Sequence, residues 1–149
     1  MKKLVFGLGA FCCLAAAEAA PSWVQVGGFD KNVGVTLVEV DSIHKKGNQV
    51  SYWKWVVFPE VWGTATGQPF DNAKSKNIVD CTEKLSGSSY IASYLGSVNV
   101  SEKAIPLVMK PIIPGSVGMA ELNAVCNMRL PGKAFDTYEQ IKASFPIAK

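Results

Sequence analysis

After residue 22 the apolar residues gather in short runs of strand length, separated by Gly, Pro, Asn and Asp, and helical spacing comes only near the C-terminus. Trp23 to Gly27 is the first such run. Val33 to Val40 follows the turn-like Asp30-Lys31-Asn32, and the two predict a hairpin. Asp41-Ser42-Ile43 leads into a turn cluster, Lys45-Lys46-Gly47-Asn48, and then into the densest β-forming stretch of the chain, Gln49 to Phe58. There Val50, Tyr52, Val56 and Phe58 fall on one face and Trp53, Trp55 and Val57 on the other, so this is a central strand with both faces covered. Pro59 to Asn72 shows no period and predicts a long loop, of the length that compact domains keep for contacts. Ile78, Val79 and Cys81 read as the next strand, and Tyr90–Leu95 and Gly96–Val100 as two more, in an antiparallel meander.

Pro106, Pro111 and Pro114 interrupt regular structure, after which Ser116 is placed to cap a helix carrying Met119, Leu122 and Cys126 on one face. Beyond Pro131-Gly132, Asp136 and Glu139 stand at capping-box spacing ahead of Tyr138, Ile141 and Phe145. This predicts a short amphipathic helix that Pro146 ends.

The N-terminus follows a different logic. Lys2-Lys3, an apolar run from Leu4 to Ala17, and small residues around Ala17-Glu18-Ala19 predict a secretory signal peptide over residues 1–19. The run is too short to span a bilayer and no later segment approaches that length, so no transmembrane span is expected. Phe11 before Cys12 departs from the small residue that precedes a lipid-modified cysteine, and Gly7-Leu8-Gly9 lacks the strand and helix of a nucleotide loop.

Composition narrows the function classes. At 149 residues, 48% apolar and 18% charged, the chain is one domain's worth of folded protein, too apolar for a disordered one. Without Lys2, Lys3 and Glu18 the net charge is about +2, with a single arginine, Arg129, so no nucleic-acid partner is expected. Export removes Cys12 and Cys13, leaving Cys81 and Cys126 for an oxidising compartment, and a structural disulfide is the natural reading. A reactive thiol is the alternative, without a Cys-x-x-Cys pair or a second histidine to support it.

These residues carry a resemblance. Trp23, Val38-Glu39-Val40-Asp41-Ser42-Ile43 before a charged Gly turn, the aromatic strand, Val79-Asp80-Cys81, a Tyr-rich strand ending in Gly96, and Ile113-Pro114-Gly115-Ser116 ahead of Cys126 together resemble the bacterial surface-adhesin protein E family over residues 23–128. Met109 stands where family members tend to carry tryptophan five residues before Pro-Gly-Ser, and the segment after Cys126 is longer than the common domain needs. The resemblance implies a mainly antiparallel sheet of about six strands with a helix; with the terminal helix and the disulfide read from the residues, the fold expected is α+β, mainly β, with one or two C-terminal helices and one disulfide. Together with the signal peptide and the terminal helix read from the residues, the resemblance divides the chain into a signal peptide (1–19), an adhesin E-like β-rich domain (20–130) and a C-terminal amphipathic helical extension (131–149). It also implies an exported binding protein at the cell surface or outer membrane.

Catalytic chemistry finds little footing. His44, the sole histidine, sits in a hairpin turn without other ligands at metal-binding spacing; Ser116 is a helix cap, not a nucleophile elbow; Glu39 and Asp41 flank a turn. No catalytic residue, metal or cofactor is expected. Binding is the better class, and the candidate contact residues are Trp53 and Trp55 on the aromatic strand and Trp62 and Phe70 in the predicted loop. The partner expected is a protein, either a host surface protein or an envelope component. The alternatives are a periplasmic interaction protein whose C-terminal helix docks on an envelope partner or a second copy, and a small-ligand carrier using the Trp53/Trp55 face.

Overall fold

A computed structural model describes residues 22–29 and 31–145; the predicted signal peptide lies outside them. In chain order come β1 (Trp23–Gln25), β2 (Val35–Glu39), a 3-10 turn (Val40–Ser42), β3 (His44–Lys46), β4 (Gln49–Gly63), β5 (Pro69–Asp80), β6 (Leu85–Leu95), β7 (Val98–Ala104), β8 (Lys110–Pro111), α1 (Val117–Cys126), β9 (Ala134–Phe135) and α2 (Tyr138–Ser144). They form one antiparallel sheet of order β7-β6-β5-β4-β2-β1-β9, with β3 added to β4 and β8 to β6. The fold is mainly β with two helices near the C-terminus. Among the described residues it has nine strands, more than the expected six because β3, β8 and β9 are two or three residues long, too short to leave a period in the sequence.

The central strand is β4, and both its faces are covered. On one face Trp55 and Val57 meet Trp23, Val35 and Leu37, and this cluster is closed by Phe135 of β9 and by Tyr138 and Ile141 of α2. On the other face Val50 and Tyr52 meet Val26, Val38 and Val79, closed by Leu122, Ala124 and Val125 of α1. Each fully buried side chain of this size contributes roughly 1.5–3 kcal/mol of transfer free energy, so the two small helices act as lids that complete two half-cores.

The caps explain where the helices begin. The Ser116 hydroxyl accepts from the Met119 N–H, as the sequence predicts. For α2 the cap is Thr137, which accepts from the Gln140 N–H, while Gln140 Oε1 accepts from the Asp136 N–H. The expected Asp136/Glu139 box is therefore shifted by one residue, because Asp136 immediately follows β9 and the chain turns into the helix only at Thr137. The apolar side of α2 is occupied by the protein's own core, Tyr138 and Ile141 both being buried.

Two covalent or steric features fix the frame. Cys81, one residue past β5, is bonded to Cys126 in the last turn of α1 across a Cα–Cα distance of 5.8 Å. Closing that loop of 45 residues stabilises the fold by about 4 kcal/mol in the chain-entropy model. Gly34, with φ +91°, leads into β2 where a Cβ would lie 1.9 Å from the Val57 carbonyl oxygen, so only glycine lets β2 reach its place beside β4.

The predicted loop Pro59 to Asn72 is a correction. Most of it is strand: β4 continues to Gly63 and β5 begins at Pro69, leaving a turn over 64–68. The alternation is hidden because β4 carries a bulge at Phe58–Val61, including Pro59, which interrupts the pairing without ending the strand.

Candidate functional site

β4 pairs with β2 only as far as Val57, and β5 pairs with β6 only from Asn72 onward. Residues 58–70 thus pair with no third strand among the described residues and form a hairpin arm that extends past the sheet. Between the pairs Val57↔Asn72 and Trp62↔Phe70, four residues of β4 face the single residue Asp71, a bulge that turns the arm relative to the strands that carry it.

The arm ends in an ordered turn. The Thr64 N–H donates to the Gln68 carbonyl (2.8 Å), the Gly67 N–H to the Thr64 carbonyl (2.9 Å) and the Gln68 N–H to the Thr64 hydroxyl (3.0 Å). Gly67 takes φ +80°, a conformation that favours glycine.

The arm's shaft is aromatic. Phe58 lies 5.4 Å from Trp62 and 5.5 Å, edge to face, from Phe70, all between ring centroids. Trp62 is half exposed (50%) and Val61 more so (61%), while Phe58 and Phe70 are partly buried against them. Glu60 is the only charge between Phe58 and Phe70. An exposed Trp and Val backed by two packed rings is a rigid apolar surface with little side-chain entropy left to lose on binding.

A buried polar network holds the arm at its base. Asp71 accepts from the Tyr138 hydroxyl (2.7 Å) and from the Gly96 N–H (2.9 Å). Asn72 donates to Asp71 (2.9 Å) and to the Gly96 carbonyl (2.9 Å), and accepts from the Trp55 indole N–H (2.8 Å). Three other segments, β4 at Trp55, the β6–β7 turn at Gly96 and α2 at Tyr138, thus converge on the two residues that follow Phe70. Sequence reasoning missed this network: an Asp-Asn pair in a polar stretch signals a turn, and nothing in its neighbours marks it as buried.

The four predicted contact residues separate into two groups. Trp62 and Phe70 are cross-strand partners on the arm, joined by Phe58, which the sequence reading placed among the aromatics of the central strand, and by Val61, which it did not single out. Trp53 and Trp55 lie elsewhere. Trp55 is 4% exposed, edge-to-face with Trp23 at 5.2 Å, and its indole N–H is spent on Asn72. Trp53 is half-buried against Tyr90 at 5.8 Å. Lys74 lies over the Trp55, Trp23 and Tyr94 rings, its Nζ 4.5, 5.1 and 5.6 Å from their centroids, so a lysine of the protein covers this aromatic face. Burial pulls the Lys74 amine below its ordinary value, against the opposing pull of Glu39.

His44 stands exposed on β3, and among the described residues no three His, Cys, Asp or Glu side chains gather at metal-binding distance. Among them, too, no helix is long and apolar enough to cross a membrane.

Comparison with known proteins identifies the architecture. The sequence model of the surface-adhesin protein E family matches residues 23–127, which takes in everything from β1 through α1 and the disulfide. The chain belongs to the surface-adhesin protein E family. Among solved structures, crystal form II of Haemophilus influenzae protein E is similar at a TM-score of 0.51 and 10% identity, over 63% of this chain and 81% of that one. At that identity the likeness is one of fold. No curated protein matches the sequence. The family match ends before β9 and α2, the two elements that close the core around Trp55.

Proposed function

We propose that this surface-adhesin E-like protein is exported, resides at the cell surface, and works without catalysis by binding a host protein through the β4–β5 arm. Family membership supports the surface location and the adhesive class. The observation that carries the choice of site is the paired Trp62 and Phe70 on an arm that pairs with no third described strand and that a buried network anchors. Large aromatics in a partly exposed, pre-ordered patch are the usual anchors of protein interfaces. The remaining exposed apolar residues lie on other elements, as Val98 does on β7 and Ile113 ahead of α1.

The test has two steps. With a tag placed in the exposed Gly47-Asn48 turn between β3 and β4, protease treatment of intact cells should remove the tag while a periplasmic marker survives. The purified exported protein should then be retained by at least one member of a panel of immobilised serum and extracellular-matrix proteins. A tag cleaved only after lysis would make the protein periplasmic and shift the search to envelope partners.

A further inference from the structure

On the sheet face covered by α1, remote in sequence from the arm, lies a half-open cavity of about 480 Å³. That is within the range of about 300–1,000 Å³ common to small-molecule sites. Its floor holds an unusual group. Glu121 of α1 is 5% exposed and accepts a short hydrogen bond from the buried Tyr52 hydroxyl, while the Lys54 ammonium stands 3.5 Å from both its carboxylate oxygens. The carboxylate is therefore already satisfied by a neutral donor and a cation.

Lys54 is not equally committed. At 3.5 Å its contact with Glu121 is at the outer limit of a hydrogen bond, and an ammonium has three donors. Lys110, at the start of β8, also lines the cavity, and neither its amine nor the Ser86 hydroxyl beside it on β6 bonds another described residue. Two ammonium groups against one carboxylate leave the half-open cavity with one net positive charge.

The rest of the wall is mixed, with Asn77 and Ser88 on one part of it and an apolar strip on another. Ile91 of β6 and Ile105 and Val108 of the segment that crosses from β7 to β8 face the same space. That segment is seated against the sheet because β6 has glycine under it: a Cβ on Gly87 would come within 2.7 Å of the Val108 carbonyl oxygen. The wall is thus built by the backbone and is not a chance gap between side chains.

We propose that this cavity binds a small amphipathic monoanion, with its head group on Lys54 and Lys110 and its apolar body against Ile91, Ile105 and Val108. This site is independent of the arm and adds a ligand to a protein otherwise read as a protein binder. Decanoate, below its micelle-forming concentration, serves as the probe, with decanol and decyltrimethylammonium as the uncharged and cationic counterparts. Titrated into the isotope-labelled exported protein, decanoate should shift the amide resonances of Ser86, Gly87, Ser88, Ile91 and Val108, and the two counterparts should bind at least about tenfold more weakly. Lys110→Ser, at an exposed position, should weaken decanoate severalfold. The paired change Lys54→Met with Glu121→Gln, which removes both charges yet keeps an acceptor for Tyr52, should weaken it about tenfold. Absence of shifts with decanoate, equal binding of the cation, or wild-type affinity in Lys110→Ser would overturn the proposal, and these hold even if the paired variant does not fold.

Discussion

Tyr52 and Tyr138 hold their hydroxyl protons well above the ordinary phenol value of about 10. Burial is the first cause in both, joined by the neighbouring carboxylate, Glu121 for Tyr52 and Asp71 for Tyr138, which repels the phenolate and accepts from the hydroxyl. In the unfolded chain these protons leave near pH 10, while the folded chain keeps them. Stability present below pH 10 is therefore lost as the pH rises above it. Lys74 acts with the opposite sign: its lowered value means that the unfolded chain holds a proton the folded chain has released, so its contribution grows as pH rises toward about 10.5. Two buried tyrosines against one half-buried lysine predict a net fall. Urea unfolding at pH 7, 9.5 and 10.5 should show it, and Tyr138→Phe should flatten the slope while costing about 1–3 kcal/mol at pH 7, because Asp71 loses its strongest side-chain donor. An unchanged slope in that variant would place the alkaline loss elsewhere. At this scale the sequence was only partly legible. The Trp, Val and Leu positions of the core follow from alternation, but the partners of Tyr52, Asp71 and Asn72 lie 69, 67 and 17 residues away, and no local pattern records such contacts.

The elements differ in how far local chemistry specifies them. β4 and α1 were legible because one has a dense β-branched and aromatic run and the other a serine cap with apolar residues on one face. The arm was not, since a bulge and Pro59 break its period, and the same residues then read as loop. The pairing of Cys81 with Cys126 follows from cysteine count and export, and the structure joins them between the end of β5 and the last turn of α1. Replacing both with alanine should lower unfolding free energy by about 2–4 kcal/mol without changing the fold, as measured by denaturant titration beside the wild type under non-reducing conditions. The segment after α1 is tied in by sterics and burial. Gly132 sits where a Cβ would come 2.0 Å from the Gln25 carbonyl oxygen, and Phe135, Tyr138 and Ile141 complete the cluster around Trp55. Removing residues 133–149 should therefore abolish cooperative unfolding, because Trp23, Leu37 and Trp55 would face solvent. Retention of a sharp transition would show the sheet to be stable without its second lid.

For the molecule as a whole, one sheet with a helix on each face leaves the arm as the part of β4 and β5 that pairs with no third described strand. The sheet's length supplies the rigidity, the Asp71-Asn72 network fixes the arm's root, and the Phe58, Trp62 and Phe70 rings give it an apolar surface. The class of fold and the family were legible in the order of motifs from Trp23 to Cys126; which aromatics face outward was not, because exposure of Trp62 and burial of Trp55 depend on strand neighbours far away in sequence. The central claim, that this arm is the binding surface, is tested most directly by the paired substitution Val61→Ser and Trp62→Ser. Val61 is largely exposed and Trp62 half exposed, so the melting temperature should change by no more than about 3 °C, a surface-scale effect. Retention on whichever immobilised matrix or serum protein holds the wild type should fall by about tenfold or more, in keeping with the loss of an aromatic anchor. A folded variant that binds as tightly as the wild type would contradict the arm as the binding surface.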